Sequence, residues 1–145
     1  RWTPDIILCS GWLSALAPLY LKRVFNDEPF FAHSKIVLML DDNEYERPFP
    51  TRFTEKLRIE GITNTDVRGI DGFPVGYEEL MRLAVDFSDA IVYATPKVNQ
   101  RVANYVETKG KPILPFEQTE TPVEASKRLW DFCQTILAKE TEENE

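Results

Sequence analysis

The sequence has little of what metal-binding, membrane and secreted proteins use. It contains one histidine, His33, and two cysteines, Cys9 and Cys133, which lie far apart. A single histidine cannot form a histidine metal site, and two distant cysteines are typical of reduced core thiols in a cytoplasmic protein. No window has the roughly 18 uninterrupted apolar residues that a membrane-spanning helix needs. We therefore expect no metal, no cofactor, no membrane association and a cytoplasmic location.

The chain also lacks an excess of positive charge. Its 145 residues include 17 Lys and Arg against 24 Asp and Glu, which gives a net charge of -7. An acidic surface repels phosphate backbones, so nucleic acid is excluded as a partner. The length fits one domain, which we place at residues 1–138 and follow with an acidic tail at 139–145. Because the chain starts at Arg1 without a Met or a signal-like segment, we expect strands upstream of it to be missing.

Strand-like and helix-like segments alternate along most of the sequence. Strands joined by helices imply right-handed crossovers and a parallel sheet that is covered on both faces. The predicted fold class is therefore α/β, with a doubly wound parallel sheet of about four strands. Ligands of such sheets bind outside the carboxyl ends of the strands. Short apolar runs predict the strands at residues 5–9, 35–40, 90–94 and 111–115.

Helical patterns follow three of these strands. In the first helical pattern, an apolar stripe runs from Leu13 to Val24. Pro18 either kinks this predicted helix or marks its first turn. Thr95 and Pro96 have the residue types of an N-cap and a first helical position, and Gly110 is placed to end that helix. A capping box at residues 121–124 opens the last helix, which is predicted to bury Ala125, Leu129, Phe132, Cys133, Ile136 and Leu137.

The segment at residues 45–75 is rich in turns, with a possible short helix at 54–59. A loop-rich excursion of this length often carries a functional or partner surface. A helical stripe of Tyr77, Leu80, Met81, Ala84 and Phe87 follows it and leads into the third strand.

Two clusters follow the predicted strands. Residues 41–46 carry four carboxylates, which form either a divalent-cation site or a solvated strand-to-loop junction, and we favour the junction. Ser10, Gly11 and Trp12 form either a ligand-contacting turn with an indole that stacks on a sugar, or a tight turn in which Trp12 packs as a hydrophobic staple. The spacing of the glycines matches no phosphate-binding loop, and His33 is interpreted as a surface histidine.

Two stretches resemble bacterial glycogen synthases and plant starch synthases. Residues 2–21, WTPDIILCSGWLSALAPLYL, are similar to the segment of that family that runs from Pro-Asp through His-x-His and Trp to Pro-x-Tyr-Leu. Residues 83–96, LAVDFSDAIVYATP, are similar to a later helix and strand of that family, of the type ALYYADAVTTVSP. The resemblance implies the second half of the N-terminal Rossmann-like domain of a GT-B glycosyltransferase. It also implies glucosyl transfer from ADP-glucose to an α-1,4-glucan without a metal, in a cleft between two domains.

Only part of the family's site carries over to this sequence. The two family histidines fall on Leu8 and Ser10, the adjacent aspartate falls on Gly11, and only Trp12 is retained. A Leu or a Ser cannot replace the electrostatic role of a histidine, so we expect the chain to be catalytically incomplete, and no catalytic residue is named. The resemblance implies a substrate-binding edge formed by Ser10, Gly11, Trp12, Asp41, Asp42, Glu79 and Arg82.

Two functional hypotheses stay open. The first is a glycosyltransferase component that becomes active with further segments, a partner protein or a homo-oligomer. The family's Lys-x-Gly-Gly donor loop is expected upstream of Arg1, and the acidic end is expected to be a native C-terminus without the second nucleotide-binding domain. The second is a non-catalytic homologue that binds glucan or a protein. A weaker third hypothesis is a flavodoxin-like nucleotide-binding or response domain with Asp41 or Asp42 as phosphoacceptor.

Overall fold

The computed structural model describes residues 2–118 and 120–143. Four parallel strands form one sheet in the order β1-β2-β3-β4, which confirms the predicted α/β class and Rossmann-like layering. The strands are β1 (Ile6–Ser10), β2 (Lys35–Leu40), β3 (Ala90–Tyr93) and β4 (Ile113–Leu114). The strands are rich in Ile, Leu and Val, and the central strands β2 and β3 are the most buried, as suits a sheet between helices.

Five α-helices and two 3₁₀ turns connect and cover the strands in the described part of the chain. The helices are α1 (Ala17–Arg23), α2 (Phe53–Leu57), α3 (Tyr77–Asp86), α4 (Gln100–Glu107) and α5 (Pro122–Glu143). The 3₁₀ turns are Trp12–Ser14 and Arg68–Ile70. None of the helices is both long and apolar enough to cross a bilayer, within the residues described.

The two faces of the sheet have separate cores because alternate residues of a strand point to opposite faces. Ile36, Leu38 and Leu40 of β2 pack on the larger core together with residues of α1, α3 and α4. Val37 of β2 lies in a smaller core with Ile136 of α5. We call these the three-helix face and the α5 face.

The segment at residues 45–75 packs as a further layer on the three-helix face. Its residues Leu57, Val67 and Ile70 are buried in the larger core, and Phe49 pairs with Val75 in an antiparallel bridge. The predicted short helix is present as α2. At Gly61 this layer lies against the backbone of Arg23, the last residue of α1. Gly61 has a φ of 94°, and a Cβ on it would lie 2.5 Å from the carbonyl oxygen of Arg23.

The first predicted helix differs from the structure in its boundaries. Residues Trp12–Ser14 form a separate 3₁₀ turn, and Leu13 is 84% exposed instead of buried in the predicted stripe. The reason is that a 3₁₀ turn has three residues per turn, so the helical stripe does not continue through it. Pro18 lies in the first turn of α1, which settles its role.

The predicted start of α4 at Thr95 is wrong, because Asn99 is the N-cap. The Asn99 carboxamide oxygen accepts hydrogen bonds from the backbone N–H groups of Arg101 (3.0 Å) and Val102 (3.2 Å). The Thr95 hydroxyl instead accepts from the N–H of Lys97 at 3.2 Å, which forms a local turn. Helix α4 ends at Glu107, and Gly110 has the left-handed φ of 63° that a turn after a helix requires.

Helix α5 has the predicted capping box. Glu124 accepts hydrogen bonds from the N–H (2.7 Å) and the hydroxyl (2.9 Å) of Thr121, and the Thr121 hydroxyl accepts from the N–H of Glu124 (3.3 Å). Of the six residues predicted to be buried by this helix, only Ile136 is fully buried, and Ala125 is exposed. The helix continues to residue 143, and residues 144 and 145 of the predicted tail lie outside the described residues.

Candidate functional site

The carboxyl edge of the sheet begins with the turn after β1. The N–H of Gly11 donates to the carbonyl of Met39 at 3.1 Å, and the Ser14 hydroxyl donates to the carbonyls of Ser10 (2.9 Å) and Gly11 (3.1 Å). Gly11 has a φ of 67°, and a Cβ on it would lie 3.0 Å from Oδ2 of Asp41. The turn therefore needs glycine, which lets the backbone reach the carboxylate that follows β2.

The loop after β2 is tied to the start of α4. Oδ1 of Asp41 accepts a hydrogen bond from the N–H of Asn43 at 2.9 Å, which closes a tight turn. Nδ2 of Asn99 donates to Oε1 of Glu44 at 3.1 Å, while Oδ1 of Asn99 caps α4. Through these bonds the ends of β1, β2 and β3 meet at one edge. Asp42 is exposed beside them.

An aromatic cluster supports this edge from the three-helix side. The ring of Trp12 lies 5.0 Å from that of Tyr45, which in turn lies 6.0 Å from Tyr77 and 5.1 Å from Phe49. The Tyr45 hydroxyl donates to the carbonyl of Val75 at 3.0 Å. Trp12 is half-buried, so it both packs as a staple and keeps part of its indole available at the edge.

The carboxylates of the edge influence the tyrosines of the cluster. Burial raises the pKa of Tyr77 to about 12, and the nearby negative charges of Glu44, Asp41 and Asp42 add to this rise. Burial likewise raises the pKa of Tyr45, with a further contribution from Glu79. Both hydroxyls are therefore neutral at physiological pH, and that of Tyr45 serves as a hydrogen-bond donor.

Two of the proposed site residues lie on α3, and only one of them is near the edge. Glu79 is in the first turn, where its Oε2 would lie 2.6 Å from a Cβ on Gly76. Arg82 lies one turn further along α3, and its guanidinium is 5.5 Å from the centre of the Tyr105 ring of α4. The structure thus brings Ser10, Gly11, Trp12, Asp41, Asp42 and Glu79 towards one edge and places Arg82 between two helices.

The positions where the resemblance places histidines have no side chain that could transfer a proton at neutral pH. Leu8 is 45% exposed, and Ser10 is exposed beside it. Within residues 2–118 and 120–143, no three His, Cys, Asp or Glu side chains are arranged to share a metal ion. The arrangement of carboxylates and a half-buried indole suits hydrogen bonding to a neutral polyhydroxyl ligand, whereas a phosphate would meet like charge.

Three residues of the edge were missed by the sequence interpretation. Tyr45, Tyr77 and Asn99 are separated along the chain by 22 residues or more, and only the tertiary structure brings them together. Tyr77 was assigned only to the apolar stripe of its helix. Asn99 is of a residue type common at N-caps, but Thr95 carries the same local signal four residues earlier.

Comparison with known proteins shows where similar sequences occur. The family described as "Starch synthase catalytic domain" matches residues 1–110. A glycogen synthase of Thermotoga maritima is 30% identical over 100 residues, which are 68% of this chain and 20% of that protein. One of Chlorobium luteolum is 39% identical over 62 residues (43% and 13%), and one of Desulforudis audaxviator is 27% identical over 118 residues (75% and 23%). The chain spans about a fifth of the length of the curated relatives it matches.

Proposed function

Since this chain belongs to the starch synthase catalytic domain family, we propose that it is the glucan-binding part of a GT-B glycosyltransferase that uses ADP-glucose and is catalytically incomplete by itself. It acts in the cytoplasm, where it holds an α-1,4-glucan at the carboxyl edge of the sheet. Ser10, Gly11, Trp12, Asp41, Asp42 and Glu79 contact the glucan, and Arg82 supports the α3–α4 wall behind them. No metal takes part in this role.

The observation that carries the proposal is the chemistry of the edge formed by Trp12 and the Asp41 loop. A half-buried indole next to carboxylates can stack on the apolar face of a sugar ring while the oxygens accept its hydroxyl hydrogens. Leu8 and Ser10 occupy the positions of the family's histidines, and neither can act as a general acid near neutral pH or carry the positive charge of a protonated histidine. Binding is therefore kept and transfer is not.

The test for binding is calorimetric titration of the chain with maltoheptaose. Trp12→Phe, which keeps an aromatic ring on Tyr45, is expected to retain binding, and Trp12→Ala is expected to weaken it about tenfold. Trp130→Ala is the matched control, because Trp130 is 65% exposed on α5 and lies outside the edge. If all three variants and the wild type fail to bind maltoheptaose, the proposed glucan site is wrong.

The test for catalysis is transfer of labelled glucose from ADP-glucose to maltoheptaose. The chain alone is expected to give no product. The protein isolated from its own cells, together with its partners, is expected to be active. Turnover by the chain alone would disprove catalytic incompleteness.

A second candidate function is a non-catalytic homologue that binds glucan or another protein. The exposed Leu8 at a histidine position favours it, because an apolar side chain exposed on the α5 face of β1 suits a contact surface better than an active site. The two candidates predict different glucosyl-transfer activity for the native complex. Glucan binding without transfer in that complex supports the second candidate, and transfer there supports the first.

A further inference from the structure

Two adjoining cavities open at the carboxyl ends of β3 and β4, next to the edge described above. One, of about 380 Å³, lies between the sheet and the start of α5. The other, of about 250 Å³, lies beside the start of α4. Tyr93 and Phe116 line both cavities, so the Phe116 ring stands between two halves of one elongated depression. The position outside the carboxyl ends of parallel strands is the usual one for a ligand in this kind of sheet.

The larger cavity has an apolar floor and a polar rim. The rim includes Glu117 and Gln118, which are exposed and whose side chains form no hydrogen bond to any described residue. The floor is formed by Met39, Val92, Leu114 and Leu129. An apolar base with a few unpaired hydrogen-bonding groups at its margin is typical of a small-molecule site.

The segment that carries the rim is held in place by α5. Nη2 of Arg128 donates to the carbonyl of Pro115 at 2.7 Å, and its Nε lies 2.5 Å from Oε1 of Glu120. These two contacts fix the chain on both sides of residues 116–118. Phe116, 36% exposed, is thereby presented to the two cavities on a braced segment.

The charge of the rim decides between classes of ligand. Arg128 is neutralised by Glu120, and Glu117 leaves the described rim with net negative charge. A phosphorylated ligand would be repelled there, and a neutral polyhydroxyl ligand would find an amide and a carboxylate for its hydroxyl groups. The ring of Phe116 offers a flat apolar surface to the C–H face of a sugar.

We propose that the two cavities form one elongated binding site for a linear, neutral oligosaccharide, with sugar rings on both sides of Phe116. The identification of that oligosaccharide as an α-glucan rests on the proposed function, while the site itself rests on the cavities and their rim. The site differs from the Trp12 edge in its lining, because neither Trp12 nor Asp41 lines either cavity. Part of its lining, including Phe116 and the start of α5, follows residue 110, where the family match ends. It would bind a second stretch of the same glucan molecule.

Phe116→Ala tests the site, with Phe73→Ala as the matched control. Phe73 is also an exposed phenylalanine, at 54%, and it lines neither cavity. In calorimetric titration with maltoheptaose, Phe116→Ala is expected to weaken binding about tenfold, and Phe73→Ala is expected to change it less than twofold. Equal binding by both variants and the wild type would overturn the proposal.

A second pair of variants tests whether a bulky side chain blocks the larger cavity. Both substitutions lie at exposed positions, outside the core. Ala125 is exposed and lines the larger cavity, so Ala125→Phe is expected to block it, whereas Ala138→Phe places the same side chain on an exposed position of α5 outside it. Chemical-shift mapping with maltoheptaose should show changes at Leu114 and Phe116 that Ala125→Phe removes and Ala138→Phe keeps.

The mapping separates this proposal from the proposed function. Changes at Trp12 and Tyr45 without changes at Leu114 and Phe116 would overturn the second site and leave the glucan edge in place. Changes at Leu114 and Phe116 alone would overturn the edge and support the second site. No changes with maltoheptaose would overturn both, and larger changes at Phe116 with ADP than with maltoheptaose would overturn the neutral ligand class.

Discussion

The two faces of the sheet are packed to different degrees. The three-helix face buries a continuous core with contributions from α1, α3, α4 and the layer at residues 45–75. The α5 face buries a much smaller core, and beside it Leu8, Trp2 and Trp130 are exposed. The helices of the three-helix face and the layer at residues 45–75 lie within the family match at residues 1–110, whereas β4 and α5 follow it. The three-helix face is therefore the more closely packed of the two, and the larger of the two cavities lies against α5, where the opposite face is less filled.

Truncating one leucine on each face is expected to give the largest difference in stability. Leu38 of β2 is fully buried on the three-helix face, so Leu38→Ala should lower the free energy of unfolding by about 3 kcal/mol, since it creates a cavity in a tight core. Leu8 of β1 is 45% exposed on the opposite face, so Leu8→Ala should cost less than about 1 kcal/mol. Urea unfolding followed by circular dichroism measures both. Equal losses would mean that the two faces are equally well packed.

A second way is to disturb the outer layer of the three-helix face. Gly61→Ala should destabilise the chain by about 2 kcal/mol, because the new Cβ meets the backbone of Arg23 and an L-residue is strained at this φ. Gly69→Ala is the control, since nothing lies within 4 Å of its Cβ position and its φ is not left-handed. The same urea experiment applies, and a neutral Gly61→Ala would show that the layer is not fixed to α1.

Several elements of the fold could be predicted from the sequence, and the start of α4 could not. The strands, their parallel direction and the capping box of α5 follow from sequence signals, namely apolar runs that alternate with helical patterns, and paired residue types three apart. The sequence left open whether Pro18 kinks its helix or lies in the first turn, and the structure decides for the first turn. The start of α4 could not be predicted, since Thr95 satisfies the same local rule as Asn99. Asn99 is the N-cap in the structure because its carboxamide oxygen accepts from the first turn of α4. Its carboxamide nitrogen also donates to Glu44, 55 residues away.

The candidate site was predictable only in part. The turn at residues 10–12 and the carboxylates at 41–42 follow predicted strands, so the meeting of strand ends in a parallel sheet brings them together. The cluster of Trp12, Tyr45 and Tyr77 depends on how residues 45–75 fold back, which no local pattern specifies. Phe116 and its cavities depend on where α5 crosses the sheet, which sequence periodicity does not specify either.

The stability of the α5 face can be tested through its capping box. Thr121→Ala removes the N-cap hydroxyl and should destabilise α5 by about 1 kcal/mol. Thr135→Ala is the control, because that hydroxyl donates to the Asp131 carbonyl inside the same helix and caps nothing. Native-state hydrogen exchange should show faster exchange in α5 and little change in α3. Equal acceleration in both helices would mean that the two faces unfold as one unit, so that they would not differ in local stability.

The smallest expected effect concerns the ion pair that fixes the outer layer of the three-helix face. Nε of Arg23 lies 2.8 Å from Oδ1 of Asp66. Burial alone would raise the pKa of Asp66, but hydrogen bonds from Thr63 and Arg23 and the positive charge of Arg23 outweigh it and lower that pKa. The folded pKa is therefore below the unfolded value of about 3.9, so the contribution to stability is complete above that pH and is lost as the pH falls through the folded value.

Asp66→Asn should accordingly flatten the acid side of the stability curve measured by urea unfolding between about pH 2 and pH 6. Asp27→Asn, a change of the same kind at an exposed position, should leave the slope as it is in the wild type. An unchanged slope in Asp66→Asn would show that the layer at residues 45–75 is held by its apolar contacts alone. The greater stability of the three-helix face would then come from its packing and not from the Arg23–Asp66 ion pair. The two faces would differ in stability only because they bury different amounts of apolar area.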